Sequence, residues 1–160
     1  MRFFLFLGMA FFGALSAANP IAYVANNQGN SVSIIDLTTN VVIGYVNNNG
    51  FSIIHPIDIK YNPAGTKAYV VSDTQNEVSV IDVATNTIIH TVSDAGFPFL
   101  APAVMAIAPN GLKGYVTNEG SNTVSIIDLV NDVVIGNVDI GLFPPYPFNL
   151  PIGIDINSTG

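Results

Sequence analysis

"AYVVSDTQNEVSVIDVATNTIIHTV", Ala68 to Val92, decides the fold. Tyr69 to Ser72 and Val78 to Ile81 are short β-branched runs on either side of "DTQNE", a cluster of turn formers. Thr87 to Val92 is a third such run, set off by "DVATN", in which Asp82 and Asn86 can bond their own backbone in a tight turn. A fourth run, Ala103 to Ala108, stops at "PNG": Pro109 ends the strand and Gly111 supplies positive φ. The runs are too short for helices and alternate with period two, so they predict consecutive antiparallel strands.

The unit is triplicated. "AYVANNQGNSVSIIDLTTNVVIGYV" and "GYVTNEGSNTVSIIDLVNDVVIGNV" lie under it without a gap, and Tyr23, Tyr69 and Tyr115 fall 46 residues apart. Each copy leads on to a Pro-led segment, "HPIDIKYNPAGTK", "APAVMAIAPNGLK" and "LPIGIDINSTG". Four strands per period with no room for a helix predict the blade of a β-propeller. The fold expected is therefore all-β, with blades of four antiparallel strands in a three-repeat, open propeller covering about 22–67, 68–113 and 114–160 of a 19–160 domain.

The order of a Pro-led strand, "NPAGTK", "AYVVSD" and "VSVIDVATN", with "YVTN" itself at Tyr115 to Asn118, resembles the YVTN-family β-propeller repeat. It is more distantly similar to a WD-repeat blade, in which an Asp also closes the third strand. The resemblance covers about residues 21 to 160. It implies an exported or surface-layer protein, and related propellers include lactonase-like and haem-binding redox enzymes. The period is a few residues longer than in that family, and three copies are too few to close a ring.

Composition limits the partners. Four basic residues stand against eleven acidic ones, a formal charge of −7, so a phosphate backbone would be repelled and nucleic acid is not an expected ligand. There is no cysteine, which removes disulfides and thiolate chemistry together. Residues 1–18, "MRFFLFLGMAFFGALSAA", combine Arg2, an apolar run from Phe3 to Leu15 and small residues at the end, the layout of a secretory signal peptide. The expected location is secreted, periplasmic or cell-surface. No later run is apolar enough for a transmembrane helix once the signal is removed.

Residues that recur in every copy read as scaffold. Asp36, Asp82 and Asp128 hold one phase and are expected to cap turns with their carboxylates. Tyr23, Tyr69 and Tyr115 are expected between blades, each hydroxyl reaching a polar edge. Asn30, Asn76 and Asn122 read as turn formers. The two histidines, His55 and His90, are out of register and have no local Ser, Asp or Glu motif, so no catalytic, cofactor or metal residue is assigned. Asp58, Lys60 and Asp155 read as solvated residues of the central channel.

Function is then sought in what does not repeat. "GFSIIHP", "GFPFLAP" and "GLFPPYPFNLP", the connections into the Pro-led strands, are rich in aromatics and proline. Their expected place is the same face as "NNQGN", "DTQNE" and "EGSNT". Phe51, Phe97, Phe99, Phe143, Tyr146 and Phe148 form the expected partner-binding patch, with plugs over the blade tops as the alternative. The reading is a non-enzymatic binding scaffold for a protein or cell-surface ligand. Two alternatives remain: part of a larger lactonase-like or redox propeller enzyme, and a structural envelope component. Pro151 to Asn157 is expected to be the first strand of a further blade, leaving an open arc that takes more blades or pairs with other copies.

Overall fold

The computed structural model describes residues 19–138 and 148–159. The segment read as a signal peptide, together with Phe143 and Tyr146, lies outside them. Eleven strands are formed: β1 (Ile21–Asn26), β2 (Ser31–Asp36), β3 (Val41–Tyr45), β4 (Pro56–Tyr61), β5 (Lys67–Ser72), β6 (Glu77–Asp82), β7 (Thr87–Thr91), β8 (Pro102–Ile107), β9 (Lys113–Asn118), β10 (Thr123–Asp128) and β11 (Val133–Asn137). They make three antiparallel meanders, β1-β2-β3, β4-β5-β6-β7 and β8-β9-β10-β11. The fold is an all-β, open, three-blade partial propeller. Pro151 to Asn157, expected as a strand, joins no sheet, because among the described residues no following blade offers it an edge.

Both turn series follow from asparagine's tolerance of the left-handed region. Asn30, Asn76 and Asn122 have φ of 49°, 54° and 55°, and Asn40, Asn86 and Asp132 have φ of 57°, 53° and 52°. The outermost strands carry a second regularity that alternation does not reveal. Ile34, Val80 and Ile126 pair with Gly44, His90 and Gly136, and the next residues pair with Val42, Ile88 and Val134. One residue per blade, Ile43, Ile89 or Ile135, is thus pushed out of the ladder as a bulge and left exposed.

The core lies between blades. One cluster joins blades one and two through Val32, Ile34, Val46, Ile53, Ala68, Val70, Ile81 and Ile88. The other joins blades two and three through residues that include Tyr69, Val71, Val78, Val80, Phe99, Met105, Val116, Ile127 and Val134. The middle blade is covered on both faces, so β5 and β6 are buried almost throughout, whereas β2 alternates half-buried and buried.

Candidate interaction surface

The non-repeating connections are fastened to the turns on one face of the arc. Asn30 Oδ1 accepts the His55 N–H at 2.8 Å, Asn76 Oδ1 that of Ala101 at 2.7 Å, and Asn122 Oδ1 that of Leu150 at 2.7 Å. Gln75 Oε1 accepts the Ile54 N–H at 2.6 Å, and the backbone of Glu119 and Gly120 donates to Ala101 and Leu100. His55 Nδ1 lies 2.6 Å from Asp73 Oδ1 and 3.0 Å from the Asn27 carboxamide. Burial opposes ionisation of Asp73, but hydrogen bonds from His55 and Thr74 outweigh it and hold the carboxyl below its ordinary range. The connections and the polar turns therefore share one face, and these bonds restrict how the loops move.

The aromatic residues divide on this face. Phe97 is 41% exposed, while Phe99 is 3% exposed and belongs to the core between blades two and three. Phe99 is thus a plug, and its place in the patch is withdrawn: a ring 3% exposed within that core has no surface left for a partner. Phe51 is half-buried against the other cluster, and Phe148 is half-buried. The exposed apolar surface of these connections instead comes from Ile54, Phe97, Leu100 and Leu150, of which the three aliphatic residues carry no aromatic signal in the sequence.

The repeated residues sit on turns and junctions. Asp36 Oδ1 accepts the N–H groups of Thr38 and Thr39 at 2.7 and 3.1 Å, Asp82 Oδ1 that of Ala84 at 3.1 Å, and Asp128 Oδ1 that of Val130 at 2.9 Å. A bond from Asn19, with those N–H groups, lowers the Asp36 pKa; Asn131 and Val130 do the same for Asp128. Tyr23 donates to Asn86 Oδ1 at 2.5 Å and stacks on Tyr61 at 5.2 Å between centroids. Tyr69 donates to Asp132 Oδ1 at 2.8 Å. Burial raises the phenols of Tyr23, Tyr61 and Tyr69, Tyr61 to about 12, and the Tyr61 hydroxyl, unlike the other two, is buried without a hydrogen-bond partner.

Asp132 gathers a polar cluster that local motifs concealed. Besides Tyr69, Lys67 Nζ lies 2.5 Å and His90 Nε2 2.9 Å from its Oδ2, and the aspartate is nearly enclosed. Both histidines therefore have aspartate partners, and both partners come from sequence-distant turns rather than from a local motif. The detectable signal was joint variation among repeats: Asp replaces Asn at this phase only where the preceding blade supplies Lys67 and His90 rather than Ile21 and Gly44. Asp58 also departs from a solvated channel role, since its Oδ2 accepts the Met105 N–H at 2.9 Å and its Oδ1 a bond from Lys60. On the opposite face of the arc a groove of about 710 Å³ runs between blades one and two, past Asn19, Asp36, Thr66, Asp82 and Asn86. Among the described residues, no group of three or more His, Asp or Glu is placed to hold a metal ion.

No family model matches the chain, and no curated protein matches it. Solved structures do. Hydrazine synthase of Kuenenia stuttgartiensis superposes with TM-score 0.66 at 24% identity over 76% of this chain and 33% of its own. The dihydro-heme d1 dehydrogenase NirN gives 0.59 at 16% identity over 74% and 24%. A functionally unknown protein from Desulfotomaculum acetoxidans gives 0.56 at 18% identity over 76% and 38%. The chain spans well under half the length of each of these, and at such identities the likeness shows the fold alone.

Proposed function

We propose that this chain is an exported, non-enzymatic scaffold of YVTN-type blades that binds a protein or cell-surface ligand through its connection face. The observation that carries the reading is the apolar rim of Ile54, Phe97, Leu100 and Leu150, exposed on loops that hydrogen bonds hold to the turns beneath. Held loops lose little entropy on contact, and apolar side chains that protrude from such loops are effective anchors. The acidic balance of the chain favours a neutral or basic surface as partner.

Cosedimentation with the envelope fraction of the source cells tests this. Replacing Phe97 and Leu100 by Ser should abolish retention while the β-sheet spectrum persists, and Phe99→Ala should unfold the protein instead. Retention unchanged in the double variant would refute the rim. A second reading, a part of a larger propeller enzyme, draws on the names of two structural neighbours. Haem titration and a lactone-hydrolysis assay separate it from the first, which expects neither binding nor turnover.

A further inference from the structure

The turn that follows each Pro-led segment is built alike in two copies and differently in the third. "NPAGTK", Asn62 to Lys67, and "APNGLK", Ala108 to Lys113, both place proline second and glycine fourth. In "NSTG", Asn157 to Gly160, the glycine keeps its place, but Ser158 stands where the others have Pro63 and Pro109, and Thr159 where they have Ala64 and Asn110. Those two departures create Asn-Ser-Thr, the acceptor pattern for an N-linked glycan, in which the middle residue is not proline and the third carries a hydroxyl. Proline in the middle would confine the asparagine before it to extended backbone. No other asparagine of the chain meets the pattern: Asn30, Asn86 and Asn122 have their hydroxyl residue directly next to them, one position too early.

The two asparagines at this phase spend their carboxamides differently. Asn62 Oδ1 accepts the N–H groups of Thr66 and Lys67 at 2.9 and 3.1 Å, and its Nδ2 donates to Thr66 Oγ1 at 3.0 Å. Both ends of that group are committed to closing the turn. Asn157 Oδ1 instead accepts the N–H and the hydroxyl of Thr159, at 3.2 and 3.0 Å, and among the described residues no hydrogen bond engages its Nδ2. The nitrogen that would take the sugar is therefore uncommitted, and the hydroxyl the pattern demands lies against the same carboxamide. Asn157, Ser158 and Thr159 are all exposed. A neighbouring blade does not bury such a turn: in blade two, which is flanked on both sides, Pro63 to Thr66 are exposed and Asn62 is half-buried.

We propose that Asn157 is the attachment site of an N-linked glycan, added as the chain is exported. The donor is an oligosaccharide joined through a diphosphate to a membrane lipid. Asn157 Nδ2 attacks C1 of its first sugar: the Nδ2–C1 bond forms, the bond from C1 to the diphosphate oxygen breaks, and the lipid diphosphate leaves with the bonding pair. One carboxamide proton passes to a base of the transferase, and no oxidant or reductant takes part. By phase Asn157 belongs with Asn62, whose turn borders the groove on the opposite face through Gly65 and Thr66. A bulky, hydrated glycan at that phase stands clear of the rim of Ile54, Phe97 and Leu100 and leaves it open to a partner. The inference rests on the export half of the reading above and is independent of the rim.

Mass spectrometry of the full chain, recovered from the envelope, medium and cytoplasm of the source cells, tests the proposal. In the exported fractions the peptide that contains Asn157 should carry a glycan, and enzymatic release in heavy-oxygen water should leave an aspartate bearing the label at that position. Asn157→Gln, Thr159→Ala and Ser158→Pro should each abolish the modification, whereas Thr159→Ser should keep it and Asn149→Gln should leave it unchanged. Envelope retention of Asn157→Gln should equal that of the unchanged chain. An exported chain with Asn157 unmodified, or a glycan that survives Asn157→Gln or Thr159→Ala, would overturn the proposal and leave the export reading standing. An unmodified chain found only in the cytoplasm would overturn both.

Discussion

Val70 and Val24 stand at one phase of the repeat, in nearly the same local sequence, yet the first is fully buried and the second exposed. The same holds for Ile88 and Val42. Strand formation is the same in both blades; among the described residues only the middle blade has neighbours on both sides. Local pattern therefore makes a blade, and position in the arc decides how much stability each residue contributes.

That contrast can be broken most forcefully at the buried face. Ile88→Ala should cost about 3 kcal/mol, by lost transfer energy and the cavity left behind, while Val42→Ala should cost under about 0.5 kcal/mol. Chemical denaturation measures both. Equal costs would mean that the first blade's outer face is already covered.

A smaller difference is expected between the two junctions. Asp132→Ala strands Tyr69, Lys67 and His90 together and should cost about 2 kcal/mol, whereas Asn86→Ala strands Tyr23 alone and should cost about 1 kcal/mol. Asp132→Asn keeps the tyrosine bond and should fall between these values. If the two junctions responded alike, the added charges would be ornamental.

The smallest effect concerns acid. Asp36, Asp73 and Asp128 have folded pKa values below the ordinary 3.8, so their contribution is complete above that pH and is lost as pH falls through the lowered values. The melting temperature should hold steady from pH 7 to about 4.5 and decline below about pH 4. Asp128→Asn should flatten that decline modestly.

Much of the molecule was legible in sequence because its information is local and repeated. Strand, turn and strand recur with Asp and Asn at fixed offsets, and those residues act on backbone groups two or three positions away. The aromatic patch was only partly legible. Phe97 and Phe99 are two residues apart in one loop, and nothing nearby in sequence says which one joins the core between blades two and three. The outer-strand bulge was hidden for a similar reason, since a run such as "VVIG" does not mark the residue that leaves the ladder.

The sequence by itself determined the all-β class, the 46-residue blade, the turns and the phase of the junction tyrosines, since each depends on interactions spanning a few residues or on exact repetition. Tertiary structure alone decided that Asp132 would draw in Lys67 and His90 and that Phe99 would be core. Those outcomes depend on which blade stands beside which, and for Asp132 on residues 42 to 65 positions away, which no local pattern encodes.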